Sequence, residues 1–387
     1  MKHRAIGAVL FGGGGLLLAL AAGLVFVVTP AMTKLPYDLA PSTSVAEASN
    51  ATYLQISDGN IAINSGNLKS TILVTPDRDA TAKLTGDLDG DAVVWKVGQT
   101  VDRTDDKQLV SAYGAELALD RVSGAAVDWN GQFLDDSGQR EQVKFAGQVY
   151  KFPFHTEKRD YEIFDRDLRS VRPAKFGGTE TIDGLEAYRF EQVIADEELK
   201  LDPSRVGLLL SKFSPGVTEG KVVYSNTRTV WVDPLTGAYV KVREVQRKVL
   251  TPSSGAPTTL LDADFQYNEP TIAASVKRAK DSRGQLTALS VYAPIGLAVL
   301  GLALMIGGLL VARRGALASA GDARHRVDGP PVADPTETWV DGEAIRDEER
   351  EGGPLTDEIP PASTNWRSDE EPTVPTQRPA PGEVDQR

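Results

Sequence analysis

The 387-residue sequence predicts a mainly β protein with a few helices, in which an extracytoplasmic antiparallel β domain, barrel-like or a sandwich, lies between two transmembrane helices. Three observations lead to this prediction. Two long apolar runs without charged residues lie at either end of a large polar segment, short alternating runs broken by Gly and Asp fill that segment, and an acidic Pro-rich tail follows it.

The first apolar run, residues 5–28, predicts a transmembrane helix. At about 1.5 Å per residue it is long enough to cross a hydrocarbon core about 30 Å thick. Lys2 and Arg4 precede it, so the positive-inside bias keeps residues 1–4 in the cytoplasm. A cleaved signal peptide is the alternative, and the length of the run favours a retained anchor.

The second apolar run, residues 288–312, predicts a second transmembrane helix that returns the chain to the cytoplasm, because basic residues follow it directly. In the first span Gly15, Ala19 and Gly23 are spaced four apart, a stripe against which the second helix can pack closely. The alternative is that small residues are simply common in membrane helices. Residues 29–287 are then extracytoplasmic, and both termini are cytoplasmic.

The segment between the spans shows the period-two pattern of β-strands, interrupted by turn signals such as Asp89-Gly90 and Asp183-Gly184. The chain has no cysteine, so a domain of this size depends on its core and not on disulfides. The predicted strands include 52–57, 70–75, 92–97, 116–120, 143–152, 187–194, 221–232 and 238–249.

One motif occurs twice in the β domain, at residues 119–127 and 232–240. Both copies read apolar, Asp, two variable residues, Ser or Thr, Gly, Ala, one variable residue and Val. The Asp carboxylate can accept backbone N–H groups of a turn, and Gly supplies a positive φ before the next strand. Two hairpins of one design are predicted, and both an ancient duplication and convergent turn chemistry remain open.

Asp202 followed by Pro203 predicts the start of a short helix that ends before Pro215. Its apolar face either packs into the core or acts as a mobile lid that meets a lipid. The lid candidates are Val206, Leu208, Leu209, Leu210 and Phe213. A further helix over residues 270–287 is predicted to form a stalk that leads into the second span, where Pro294 would kink it.

The tail, residues 313–387, is acidic and Pro-rich and lacks sustained apolar periodicity, so it is predicted to be disordered in the cytoplasm. Thr336 and Thr373 each follow an acidic residue and Pro, and Trp339 is unusual in such a composition. We predict these three as candidates for recognition of a cytoplasmic protein partner. A plain solvated tail is the alternative.

Catalytic and metal-binding signatures are missing from the sequence. His155 is the only histidine between the spans, no nucleophile elbow is present, and no pair of histidines has zinc-ligand spacing. Residues 87–91 depart from a calcium loop because the glycine comes two places early. A net charge of −12 argues against nucleic acid as a partner. We therefore predict a protein that is not an enzyme and has no catalytic, metal or cofactor-binding residues and no cofactor.

Several segments resemble an actinobacterial envelope family, the PorA-family porins, otherwise described as a domain of unknown function. They are residues 147–154, 158–161 and 184–190 together with the two Asp-x-x-Ser/Thr-Gly-Ala turns. The likeness covers about residues 1–314 and includes both anchors, and it implies an envelope protein and a channel. The architecture is also similar to that of class B scavenger receptors, which pass lipids through a tunnel.

Three functions follow from these features. Two helices cannot enclose an aqueous pore, and the strands carry charges where a lipid-facing band would be apolar. The leading hypothesis is therefore a membrane-anchored envelope protein whose β domain binds or conveys a lipid or other hydrophobic component. The alternative is a scaffold or signalling adaptor that binds a protein partner outside and recruits another through its tail. A channel-forming oligomer is the third.

Overall fold

A computed structural model describes residues 2–57, 59–136 and 138–323. Their strands form one 14-stranded sheet, of which 12 strands close into a barrel. The strands are β1 (Ser42–Ser57), β2 (Asn60–Asp77), β3 (Ala92–Arg103), β4 (Leu109–Asp120), β5 (Ala125–Val127), β6 (Phe133–Asp136), β7 (Gln139–Glu141), β8 (Gly147–Gln148), β9 (Tyr161–Asp165), β10 (Ser170–Ile182), β11 (Leu185–Glu198), β12 (Gly220–Val232), β13 (Tyr239–Pro252) and β14 (Thr258–Tyr267).

The barrel closes because β3 pairs with β2 on one side and with β4 on the other. The order around the wall is β3-β2-β1-β14-β13-β12-β11-β10-β9-β8-β5-β4, and neighbours are antiparallel except β8 and β9, which are parallel at Gln148 and Ile163. The β6–β7 hairpin attaches to β4. The prediction of an antiparallel β domain is confirmed, and the barrel-like form is the one observed.

The barrel wall has an inner face with buried side chains and a charged outer face. Along β12 the side chains of Val222, Tyr224 and Val230 are buried inside. On the outer face of β13 and β14, Arg243 Nη2 lies 2.7 Å from Asp264 Oδ2, and both side chains are about half exposed. Charged pairs of this kind are unlike the apolar band that a lipid-spanning barrel presents to the bilayer.

One predicted strand is wrong. Residues 143–152 contain only the two-residue β8, and the rest of the run is irregular. Its apolar residues are buried for another reason: Phe145 packs in the core, and Phe152 docks beside the β12–β13 turn, where its N–H donates to Gly237 O at 2.9 Å. The other predicted runs lie almost entirely within the observed strands.

The helical segments are α1 (Lys2–Gly23), a π-helical turn (Leu24–Val28), α2 (Thr29–Met32), α3 (Arg78–Thr81), a 3₁₀ turn (Gly86–Leu88), α4 (Pro203–Phe213), α5 (Glu269–Thr287), a second π-helical turn (Ala288–Tyr292) and α6 (Ala293–Ala323). Two continuous helices, Ala5–Met32 and Glu269–Arg314, are long and apolar enough to cross a membrane by length and composition. The predicted short helix and stalk helix are both present, and a π-helical turn ends at Tyr292, two residues before Pro294.

α1 and α6 pack against each other as an antiparallel pair in which glycine meets glycine. A Cβ atom placed on Gly7 would lie 2.7 Å from Gly308 O, and one placed on Gly14 would overlap Gly301 O. Ala21, seven residues beyond Gly14, is also buried. Small residues at these positions let the two backbones approach closely, as in membrane helix pairs.

The predicted stripe of Gly15, Ala19 and Gly23 is wrong as the packing face. A Cβ atom on Gly15 or Gly23 would meet nothing within 4 Å, and Ala19 is exposed. The observed contacts repeat every seven residues because the two helices run almost side by side, which returns the same face to the partner after two turns. A spacing of four describes helices that cross more steeply.

The barrel lumen as candidate functional site

The barrel encloses a cavity of about 1040 Å³. We call one end of the barrel the α4 end, because α4 lies there beside the β1–β2 and β13–β14 turns. We call the opposite end the α5 end, because β14 leads there directly into α5. Residues of both ends line this cavity, which therefore extends along the barrel.

The α4 end of the cavity is apolar. Its wall is formed by inward-facing side chains of the long strands and by α4, which packs its buried Leu209 and Leu210 against β12 and β13. The lining residues at this end include Leu54, Ile56, Leu199, Leu208, Leu209, Val222 and Leu260. Ile56 and Leu208 are also more than half exposed, so apolar side chains lie at the rim of this mouth.

Polar and charged side chains cross the middle of the lumen. We call this group the lumen belt, and it comprises Gln99, Tyr113, Arg166, Asp167, Arg228, Glu244 and Lys248, all of which line the cavity. β3, β4, β12 and β13 supply five of them, and the β9–β10 turn supplies Arg166 and Asp167. The belt therefore joins opposite sides of the barrel.

The β9–β10 turn is folded into the lumen. Arg166 Nη1 donates to Gln99 Oε1 of β3 at 2.6 Å, and its guanidinium lies 4.3 Å from the centre of the Tyr113 ring on β4. Asp167, the next residue, accepts from Lys248 Nζ of β13 at 2.6 Å. Two adjacent residues thus bind opposite walls, and the turn narrows the passage.

Arg228 is the most connected residue of the belt. Its Nε donates to Glu244 Oε1 at 2.6 Å, its Nη1 donates to Gln192 Oε1 at 2.9 Å, and its Nη2 lies 3.3 Å from Asp165 Oδ2. Burial by itself lowers the pKa of Arg228, but the charges of Glu244 and Asp165 outweigh it and raise that pKa. The buried charges are kept because each has a partner.

The belt carboxylates are ionised for the same reason. Burial raises the pKa of Asp167, but Lys248 and Arg166 outweigh burial and hold that pKa below its ordinary value. Desolvation likewise raises the pKa of the partly buried Glu244, but Arg228 outweighs it and lowers that pKa. The belt therefore carries paired charges of both signs across a lumen that is apolar toward the α4 end.

The α5 end of the cavity holds a buried lysine. Lys151 is 8% exposed and lines the cavity. Its Nζ donates to the carbonyl oxygens of Phe152 and Thr236 and lies 4.0 Å from the centre of the Phe154 ring. Burial lowers the pKa of Lys151 to about 7, although Asp233 acts in the opposite direction.

The two repeated motifs form equivalent turns. Asp120 Oδ1 accepts from Ser123 N and Oγ, and Asp233 Oδ2 accepts from Thr236 N and Oγ1, which confirms the predicted turn chemistry. The glycines that follow have positive φ in both copies. The two turns also meet on one segment, which the sequence did not predict.

That shared segment contains Lys151 and Phe152. A Cβ atom on Gly124 would lie 3.1 Å from Phe152 O and 3.2 Å from Lys151 Cγ, and one on Gly237 would overlap Phe152 O. The two turns therefore clamp Lys151 and Phe152 from two sides, closely at Gly124 and so closely at Gly237 that only glycine leaves room there. The clamp fixes the lysine at the cavity wall.

The structure separates the lid candidates. Leu209 and Leu210 are buried in the core, Val206 and Phe213 pack against it, and Leu208 is exposed at the cavity mouth. The helix is held across the mouth by Arg205, whose guanidinium donates to Asp136 at 3.0 Å and to Gln139 at 2.8 Å in the β6–β7 hairpin. A lid function for these residues remains a prediction.

The tail candidates Thr336, Trp339 and Thr373 lie outside the described residues, so recognition of a cytoplasmic partner remains a prediction. Among residues 2–57, 59–136 and 138–323, no group of three or more His, Asp or Glu side chains could hold a metal ion. The residues that the sequence did not reveal are those of the lumen belt and Lys151. No motif in the sequence marked them, because charged residues within a strand ordinarily indicate a solvent-exposed face.

The fold and the lumen define a class: a β-barrel that encloses a large, partly charged cavity and is flanked by two paired apolar helices. The chain belongs to the Porin PorA family, whose model matches residues 6–310. It is 26% identical over 300 residues to Porin PorA of Corynebacterium resistens, covering 58% of this chain and 72% of that one. It is 23% identical over 272 residues to Porin PorA of Corynebacterium amycolatum, covering 57% and 70%.

The predicted family is thereby confirmed, and the tail lies beyond the matched residues, as the resemblance implied. The similarity to class B scavenger receptors finds no support in these relatives and stays an analogy of architecture.

Proposed function

We propose that the chain forms a channel of the cell envelope, with the barrel lumen as its passage and the lumen belt as its constriction. The cavity of about 1040 Å³, lined from both ends of the closed barrel, carries this proposal. The names of the corynebacterial relatives support the same function. From the sequence, a channel was the third hypothesis, because only a pore between helices or within lipid-spanning strands was considered. In the present proposal the passage instead lies inside a barrel that has a polar outer wall.

The polar outer wall keeps the barrel in water, and the antiparallel helix pair supplies the membrane anchor. One pair of helices encloses no aqueous pore. The proposal therefore requires several chains to assemble, so that their helices surround the membrane part of the passage. The orientation with residues 1–4 and the tail in the cytoplasm belongs to this proposal.

Conductance in planar bilayers tests the proposal with the purified full chain. The variant Asp167→Ala with Lys248→Ala removes the ion pair that holds the β9–β10 turn across the lumen, and we expect a higher single-channel conductance. The matched control is Arg243→Ala with Asp264→Ala, which removes an ion pair of similar length from the outer face of the same sheet. This control should conduct like the unmodified protein.

Absence of conductance in the unmodified protein would contradict the proposed function. An equal change in both variants would show that the lumen belt is not the constriction, because the control pair lies outside the lumen.

A second candidate is the conveyance of a lipid or other hydrophobic envelope component. The apolar lining at the α4 end and the exposed Ile56 and Leu208 at its rim favour it. Removing acyl chains from water stabilises such a complex by about 0.8 kcal/mol per CH₂ group. Native mass spectrometry of the detergent-extracted protein would detect a bound lipid, and a protein free of lipid would contradict this function.

A further inference from the structure

The wall of the cavity is more basic than the protein as a whole. The chain has a net charge of −12, yet six basic and only four acidic side chains line the cavity. The basic ones are Lys151, Arg166, Arg205, Arg228, Lys248 and Arg278, and the acidic ones are Asp136, Asp167, Glu244 and Asp281. This local excess opposes the overall charge, so the cavity wall attracts anions and repels cations.

Ion pairs compensate most of these charges, and the basic side chains without an ion pair form the positive excess. Arg205 pairs with Asp136, Lys248 with Asp167, and Arg228 with Glu244. Asp281 pairs with Lys277, which is on the same helix and outside the cavity lining. Three basic residues are therefore left without an ion pair among the described cavity residues: Arg166 of the lumen belt, which donates to Gln99, and, at the α5 end, Lys151 and Arg278.

Lys151 is the more enclosed of the two at the α5 end. Within the part of the chain that the structure describes, no carboxylate lies within 4.0 Å of its Nζ; its partners are two carbonyl oxygens and an aromatic ring. Asp233, the nearest charge to influence it, is itself paired with Arg283 of α5. Carbonyl dipoles orient the ammonium group, but they leave its net charge uncompensated.

The surrounding structure places this lysine at the cavity wall. Two turns of one design clamp Lys151 and Phe152, and each uses a glycine with positive φ at the contact. Burial brings the pKa of Lys151 to about 7, so the charged form is disfavoured until an anion compensates it. An unpaired, buried lysine is costly to a fold and is a recurrent feature of binding sites.

We propose that the cavity binds the anionic oxygen group, a carboxylate or a phosphate, of the molecule that it takes up, and that Lys151 is the residue that contacts this group. The proposal deepens the proposed function, since it names the class of solute that the lumen admits. Arg278, at the exposed mouth of the α5 end, attracts the same class of solute toward Lys151.

Isothermal titration calorimetry of the full chain in a nonionic detergent tests the site with three probes: inorganic phosphate, octanoate and uncharged octanol. We expect binding of phosphate or octanoate, and weaker or absent binding of octanol. Octanoate binding without phosphate binding assigns the site to anions that carry an acyl chain, and phosphate binding assigns it to free anions.

The variant Lys151→Met keeps a long unbranched side chain, one heavy atom shorter, and removes its charge. We expect it to weaken anion binding by at least about tenfold, the effect of losing a hydrogen bond to a charged group. Lys151→Arg should keep part of the affinity. Lys241→Met is the matched control, because Lys241 lies over the Trp231 ring and outside the cavity lining. Circular dichroism checks that each variant folds.

Three results would overturn the site: no anion binding by the unmodified chain, equal binding of octanol and octanoate, or equal anion affinity in Lys151→Met. Reversal potentials in a KCl gradient separate this outcome from failure of the channel. If the protein conducts and its anion preference is unchanged in Lys151→Met, the channel is supported and the anion site at Lys151 is contradicted. If the protein binds anions but does not conduct, the anion site is supported and the channel is contradicted.

Discussion

At the scale of single residues, Lys151 shows how a side chain is kept at a cost to stability. Its pKa falls from an ordinary value of 10.5 to about 7 because burial disfavours the ammonium form, and Asp233 offsets only part of this effect. Between these two values the unfolded chain binds more protons than the folded chain. The free energy of unfolding therefore rises with pH across this interval.

We expect Lys151→Met to lose this contribution to the pH dependence. Between pH 7 and pH 9 the Tm of the unmodified protein should rise relative to the Tm of Lys151→Met. The reason is that only the unmodified protein releases a proton from residue 151 when it folds. Thermal unfolding of the two full chains in detergent, followed by circular dichroism, measures the difference. Parallel Tm curves would mean that Lys151 is solvated and titrates normally.

The two clamp glycines give a second prediction. It distinguishes the cost of a positive φ from the cost of steric overlap with a neighbouring atom. Gly124 and Gly237 have φ of 66° and 70°, so Ala at either position costs about 1–2 kcal/mol in the left-handed region. At Gly237 the new Cβ atom also overlaps the Phe152 carbonyl, which adds to the cost and brings it to about 2–5 kcal/mol.

Denaturant unfolding of Gly124→Ala and Gly237→Ala therefore tests the clamp directly. We expect both variants to be less stable than the unmodified chain, and Gly237→Ala to be the less stable of the two. Equal losses would show that the Phe152 carbonyl moves away freely, and that the clamp does not hold the Lys151 segment.

At the scale of elements, local patterns predicted the strands and helices, and long-range pairing could not be predicted. Alternation correctly indicated β12 and β13, and the Asp202-Pro203 cap correctly indicated α4. Barrel closure depends on β3 pairing with both β2 and β4, and on the single parallel contact of β8 with β9. None of these contacts leaves a periodic signal in the sequence.

The lumen belt was missed for a related reason. Charged residues within a strand ordinarily indicate a solvent-exposed face. Arg243 and Glu244 are adjacent in β13, yet the first pairs with Asp264 on the outer wall and the second pairs with Arg228 inside the lumen. Only the register of the closed barrel decides which of the two charges faces the cavity.

The helix pair shows the same limit, because composition revealed two apolar helices but not their contact face. We expect Gly14→Ala to weaken the pair, because its Cβ atom would overlap Gly301 O at a cost of about 1–3 kcal/mol. The neighbouring Gly15→Ala should have little effect, since nothing lies within 4 Å of its Cβ position.

A cysteine placed at Ala21 reports on this pairing, because Ala21 is 7% exposed and the chain contains no other cysteine. Its labelling by a maleimide in detergent should be slow, faster with Gly14→Ala, and unchanged with Gly15→Ala. Equal labelling in the two glycine variants would contradict the observed helix register.

At the scale of the whole molecule, the helix pair and the barrel have surfaces of different character, one apolar and the other charged. The antiparallel helices present apolar side chains outward, for example Phe26 at 77% exposure and Val9 at 74%. The barrel presents ion pairs such as that of Arg243 with Asp264. Burying the helix surface in lipid removes that apolar area from water, whereas burying the barrel wall would desolvate its charges. In the proposed channel the barrel therefore lies beside the membrane and not within it.

This division predicts which side chains are reached from each side of the membrane. The antiparallel pair brings both helix ends near residues 2 and 314 to one face of the bilayer, and Lys2 and Arg4 favour the cytoplasmic face. In sealed right-side-out vesicles, an impermeant maleimide should label Ile56→Cys at the α4 end at once, since Ile56 is 60% exposed. Lys2→Cys should react only after the vesicles are opened. Immediate labelling of Lys2→Cys, or protection of Ile56→Cys, would place the barrel in the cytoplasm and contradict an envelope channel.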